Sequence, residues 1–160
     1  MSLRILIVDD DDLYWDLIQA IVQRERSLAH VEVARLTDGD ELIALLAAGP
    51  SSHPDRSSPT QAWPDVVLLD QRMTTMDGVE TLLALRERGL GTAMSICLMT
   101  SADSPLLITD ALRAGARFCF TKPLEFAQLK LHLSEIARFF SEVAVLPRTE
   151  AGGRNGDEST

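Results

Sequence analysis

Short apolar runs alternate with amphipathic stretches along most of the 160 residues. "LRILIV" (Leu3 to Val8) is too short for a helix and predicts a strand buried on both faces. Beyond it Tyr14, Leu17, Ile18, Ile21 and Val22 fall at helical spacing and make one apolar stripe. "HVEVARL" alternates as a strand does, and "DGDELIALLAAG" predicts a helix capped by Asp38 and stopped at Gly49. "DVVLLD" and "MSICLMT" predict two more buried strands, each followed by a helical pattern, "VETLLALRERG" and "PLLITDALRAG". "RFCFT" predicts a last short strand, and "LEFAQLKLHLSEIARFFSEV" a long amphipathic helix.

Five strand–helix units in succession imply an α/β domain, a doubly wound parallel sheet of five strands with helices on both faces. The Ser- and Pro-rich stretch at residues 50–64 predicts a long loop, and the polar, Gly-rich stretch from Pro147 a flexible tail. One domain is therefore expected over residues 1–146, with an extended last helix and arm, and a polar tail over 147–160.

Composition narrows the class. Apolar residues make up 46% and charged residues 24%, near the globular average. No apolar stretch approaches the ~20 residues of a membrane-spanning helix, and the N-terminus lacks the features of a secretion signal. Cys97 and Cys119 sit in apolar segments without CxxC spacing, as expected of buried reduced thiols in a cytoplasmic protein. A net charge of −9 argues against broad nucleic-acid binding.

Ligands of such sheets bind beyond the carboxyl ends of the strands. There the chain carries Asp9 and Asp10, then Asp70, Thr100 and Lys122; the second strand ends in nothing chemically notable. Three carboxylates without histidine or thiolate make a hard, oxygen-only cation site suited to Mg²⁺, with Mn²⁺ the alternative. An aspartate can also attack a phosphoryl group and form an acyl phosphate, its charge offset by the cation and a lysine. The run "DDDD" at residues 9–12 thus divides: Asp9 and Asp10 toward the cation, Asp11 as a solvated spacer, Asp12 as the helix N-cap.

The stretches "ILIVDDD", "DVVLLDQRMTTMDG", "ICLMTSAD" and "RAGARFCFTKPL" resemble, in order, the receiver domain of two-component response regulators. The resemblance spans roughly residues 3–140 and implies the chemotaxis-regulator-like, flavodoxin-like fold with strand order 2-1-3-4-5. It implies Asp70 as phospho-acceptor and Thr100 as switch hydroxyl, with Lys122 pairing with the phosphoryl group. Asp10, Asp9 through water, Asp70 and the main-chain carbonyl of Arg72 would hold Mg²⁺. A cis Lys122–Pro123 bond is implied too, and Asp77 and Gly78 match the turn that opens the third helix. The chain departs from the family at Thr74, usually Pro, which is expected to loosen that loop. It departs again at Ser101, usually Ala, and at Cys119, where the family has an aromatic ring that swings inward.

Tyr14 belongs to the apolar stripe, whereas Trp15 lies one residue off it and is expected at the surface, where the family docks its kinase. Apolar residues persist to the end of the last helix, including Phe139, Phe140, Val143 and Val145, and make a candidate interface. The ending "ARFFSEVAVLP" is similar to single-domain response regulators that partner phytochrome-type histidine kinases and dimerise through that helix and a C-terminal arm. The implied function is a response regulator, not an enzyme acting on others, that binds a sensor histidine kinase and a second copy of itself, without DNA or membrane. The alternatives are a receiver-like scaffold that works unphosphorylated and a haloacid-dehalogenase-type phosphatase using Asp9 and Asp11.

Overall fold

Five parallel strands stand side by side in a computed structural model that describes residues 2–49, 63–101 and 104–143. They are Leu3–Val8 (β1), Val31–Leu36 (β2), Val66–Asp70 (β3), Ser95–Thr100 (β4) and Phe118–Thr121 (β5), in the order β2-β1-β3-β4-β5. Helices Asp12–Arg24 (α1), Gly39–Ala48 (α2), Gly78–Glu87 (α3), Pro105–Ala114 (α4) and Phe126–Arg138 (α5) alternate with them. This is the flavodoxin-like receiver fold expected from the sequence.

Two cores explain the apolar patterning. Alternate side chains of β1, β3 and β4 (Ile5, Ile7, Leu68, Met99) meet α1 and α5 on one face of the sheet. The intervening ones (Leu6, Val8, Leu69, Leu98) meet α2, α3 and α4 on the other. The central strands therefore read as unbroken apolar runs, because neither face sees water. The edge strand β5 is more open, and Phe118 is half-exposed.

Register decides what gathers at the carboxyl edge. Val8 pairs with Leu69, Asp70 with Met99, and Thr100 with Thr121. Asp9, Asp70, Thr100 and Lys122 thus lie within about two residues of one level across three adjacent strand junctions.

The start of α1 differs from expectation. Asp11, not Asp12, is the N-cap: its carboxylate accepts from the N–H groups of Leu13 and Tyr14. Asp12 is the first helical residue and pairs instead with Arg35 Nη1 at 2.7 Å. An N-cap needs extended backbone, and Asp11 has it at φ −81°, ψ 107°. Asp11→Ala is accordingly expected to cost about 1 kcal/mol of stability, as typical for a lost N-cap. Asp12→Ala removes an ion pair whose aspartate is 87% exposed and whose arginine is 13% exposed, and should cost less than Asp11→Ala; chemical denaturation of the two variants checks the order.

The other caps follow the sequence. Asp38 caps α2, Gly49 and Gly115 close α2 and α4 at positive φ, and Asp77 forms a capping box with Glu80 at α3. Past Arg138 the helix continues through a π-turn over Phe139–Val143. The Lys122–Pro123 peptide is trans, against the cis form implied by the resemblance; trans is the form that X–Pro bonds prefer by about 0.5–1 kcal/mol. The expected loop over 50–64 falls, as far as residue 62, outside the described residues, as do Val145, Leu146 and the tail. Among the described residues no helix is long and apolar enough to cross a membrane.

Candidate functional site

The carboxyl edge gathers its charge around one ammonium. Asp9 follows β1 and is fully buried; its Oδ2 lies 2.6 Å from Lys122 Nζ, and its Oδ1 accepts the Asp11 N–H at 2.9 Å. Asp70 ends β3, nearly buried, with Oδ2 3.4 Å from the same Nζ. Lys122 follows β5 and is itself buried, so it is no solvated surface lysine. Its ammonium sits 4.2 Å from the centre of the Tyr14 ring, a cation–π contact. Its N–H continues the strand pairing by donating to the Thr100 carbonyl at 2.8 Å.

Asp10 completes the cluster from the exposed side. Asp9, Asp10 and Asp70 each offer a carboxylate oxygen, and the three oxygens lie within 4.8 Å of one another. One ammonium facing three carboxylates leaves an excess of negative charge. Burial, and next the Asp9 carboxylate, push Asp70 up to about 6 from an ordinary 3.8; Lys122 opposes the shift without cancelling it. Burial also raises the Tyr14 hydroxyl, with the neighbouring aspartates adding to the effect. An oxygen-only set with uncompensated charge fits a hard divalent cation, with Asp10 at the solvent-facing entrance.

Thr100 ends β4 in a buried position, and together with Asp10, Arg72 and Thr74 it lines a depression of about 520 Å³. The floor depends on Gly78 at the start of α3. A Cβ there would lie 2.4 Å from Leu98 Cδ1 and 2.9 Å from the Asp70 carbonyl oxygen. Only glycine lets α3 approach the end of β3 so closely.

The fold just described and this cluster coincide with one family. Residues 5–134 match the family profile described as response regulator receiver domain. The chain belongs to the response regulator receiver domain family. It is 29% identical over 154 residues to response regulator PleD of Caulobacter vibrioides, covering 96% of this chain and 30% of PleD. The chain thus spans under a third of that relative's length. Among solved structures it is similar to the phosphorylated cyanobacterial phytochrome response regulator RcpA (TM-score 0.74, 23% identity, 92% of this chain and 100% of that one). It is similar also to the Mn²⁺-bound response regulator Rcp1 (TM-score 0.70, 21% identity, 90% and 98%). At these identities the two structures speak for the fold.

As a receiver domain the chain has features that its sequence hid. Thr74, expected to loosen its loop, ties it instead: its N–H and hydroxyl both donate to Asp10 Oδ2, at 3.2 and 2.8 Å. Arg35 of β2, on the strand judged chemically silent, donates from Nε to the Asp9 carbonyl at 2.9 Å and pairs with Asp12. No spacing rule marks either residue, because each reaches its aspartate across the fold.

Four other expectations resolve by burial. Tyr14 is buried as its stripe implied, yet it also faces the site under Lys122. Trp15, expected at the surface, is only partly so: it is half-buried and packs against the α1–α5 core, while Leu13 is the exposed apolar residue of that turn, at 75%. Cys119, at the family's aromatic position, is half-buried against the opposite core, and burial raises its thiol. Phe140 is buried, whereas Phe139 stays partly exposed and meets Phe118 edge-on at 5.6 Å.

Proposed function

We propose that this receiver domain accepts a phosphoryl group on Asp70 from a sensor histidine kinase, in a Mg²⁺-dependent reaction, and signals by changing what the domain binds. The observation that carries the reading is Asp70 at a strand end, 3.4 Å from a buried lysine and within a three-carboxylate cluster.

In this reading a carboxylate oxygen of Asp70 attacks the phosphorus of the phosphohistidine. The phosphorus–nitrogen bond breaks, and the imidazole leaves with its electron pair. Lys122, already beside Asp70, balances charge on the incoming phosphoryl oxygens, and the Thr100 hydroxyl donates a hydrogen bond to one of them. Asp9 holds Lys122 in place. Asp9, Asp10, Asp70 and the Arg72 carbonyl would hold Mg²⁺, with Mn²⁺ as substitute. The bound ion supplies positive charge for phosphoryl oxygens. The domain turns over only its own phosphate and is not an enzyme toward other substrates.

The output is read as a contact between copies of the chain. Phe118, Phe139 and Val143 expose apolar surface around the end of the last helix, which supports a homodimer there. Because "ARFFSEVAVLP" resembles the partners of phytochrome-type kinases, such a kinase is the first to assay.

Beryllofluoride, which mimics an aspartyl phosphate, tests both halves. With Mg²⁺ it is expected to change the tryptophan fluorescence and the mass in light scattering of wild type, and to change neither in Asp70→Asn. An equal response in Asp70→Asn, or in EDTA, overturns the assignment. A fluorescence response without any change in mass overturns the dimer alone.

A further inference from the structure

Asp10 is the exposed member of the cation cluster, and a free aspartate there would spread over several rotamers. Two donors of a single residue prevent that. The Thr74 N–H and Oγ1–H converge on Oδ2 of Asp10, which leaves Oδ1 outside the clamp. With the clamp closed, Asp10 already offers an oxygen within 4.8 Å of those of Asp9 and Asp70. The clamped rotamer is therefore the one that faces the other carboxylates.

We propose that Thr74 is a positioning residue for the divalent cation, acting through Asp10. The inference rests on the reading of Asp10 as a cation ligand. Groups that hydrogen-bond a ligating carboxylate fix its direction, and losing them typically weakens metal binding 10–100-fold. The clamp also ties the β3–α3 loop to the end of β1, two segments that would otherwise supply ligands independently. A proline at this position, as the family motif usually has, carries neither donor.

The clamp selects among cations as well. Mg²⁺ requires near-octahedral ligands at 2.0–2.1 Å, whereas Ca²⁺ accepts looser sets at 2.3–2.6 Å. Fixing Asp10 therefore favours the smaller ion, and releasing it should lower Mg²⁺ affinity more than Ca²⁺ affinity.

Thr74 is exposed, so its replacement should leave the fold intact. The test titrates the full chain with MgCl₂ and with CaCl₂ by calorimetry, for wild type, T74V, T74S and D10N. T74V keeps the N–H and loses the hydroxyl; T74S keeps both donors. T74V is expected to bind Mg²⁺ roughly tenfold more weakly, with a smaller loss for Ca²⁺ and the same melting temperature in EDTA. T74S should bind as wild type does. D10N should lose affinity altogether. T74A, smaller and without the hydroxyl, serves if T74V melts early in EDTA. If wild type binds Mg²⁺ and D10N does not, yet T74V and T74A bind as tightly as wild type or more so, the positioning role is overturned. If D10N binds as wild type does, the reading of Asp10 beneath it fails instead.

Discussion

Lys122→Met is expected to destabilise the cation-free protein by about 3–5 kcal/mol, the range for removing one partner of a buried ion pair. Lys122 is 9% exposed and Asp9 is 0% exposed, and among the described residues the ion pairs of both Asp9 and Asp70 run to this one ammonium. Methionine keeps most of the volume and its contact with the Tyr14 ring but none of the charge. Two buried carboxylates then face each other without compensation. At 2–4 °C per kcal/mol for a chain of this size, the melting temperature should fall on the order of 10 °C in EDTA. Lys130→Met is the control, since Lys130 pairs with Glu25 at 2.9 Å with its side chain 44% exposed. Pairs of that kind contribute about 0–1 kcal/mol. A Lys122→Met deficit no larger than that of the control would contradict a buried charge cluster.

The opposite sign is expected at Asp70. Asp70→Asn should stabilise the cation-free protein by roughly 2–3 kcal/mol at pH 7, because one unit of pKa shift corresponds to about 1.4 kcal/mol and Asp70 is raised from 3.8 to about 6. The sign follows from proton binding. Well below pH 3.8 the unfolded and folded chains both hold the proton. Between about 4 and 6 only the folded chain holds it, so wild-type stability falls as pH rises through this window. Above about 6 the folded chain carries a charge that burial and Asp9 disfavour. Asparagine has no such proton, so the two proteins should be equally stable well below pH 3.8 and diverge until about pH 6. Urea titrations at several pH values in EDTA read this directly. A constant difference across the window would place its origin elsewhere. A residue whose charge weakens the fold is also the one assigned the chemistry, as expected where function and stability compete.

The sequence disclosed what depends on spacing along one element. Unbroken apolar runs in β1, β3 and β4 mark strands buried on both faces, and alternation of strand and helix marks a parallel sheet. The strand ends then name Asp9, Asp70, Thr100 and Lys122, and register alone brings these together. What stayed hidden depends on side chains crossing between elements. Arg35 sits on a strand with an unremarkable end, yet its guanidinium reaches Asp9 and Asp12. Thr74 looked like a substitution that loosens a loop, because the loss of proline is visible in a sequence and the gain of two donors is not. The aspartate run misled by one residue, since four identical side chains give no sign of which has extended backbone. Trp15 was legible only in part: a ring one position off an apolar stripe is wide enough to lean back onto the core while staying half-exposed, leaving Leu13 outside.

The most direct measurement is the site of phosphorylation. The 160-residue chain is incubated with acetyl phosphate and MgCl₂ and then treated with borohydride, which reduces an aspartyl phosphate to homoserine that peptide mass spectrometry locates. Homoserine is expected at position 70, absent from Asp70→Asn, absent in EDTA and much reduced in Lys122→Met. Homoserine at Asp9 or Asp10 in the wild type, or an unmodified chain with Mg²⁺ demonstrably bound, would contradict it.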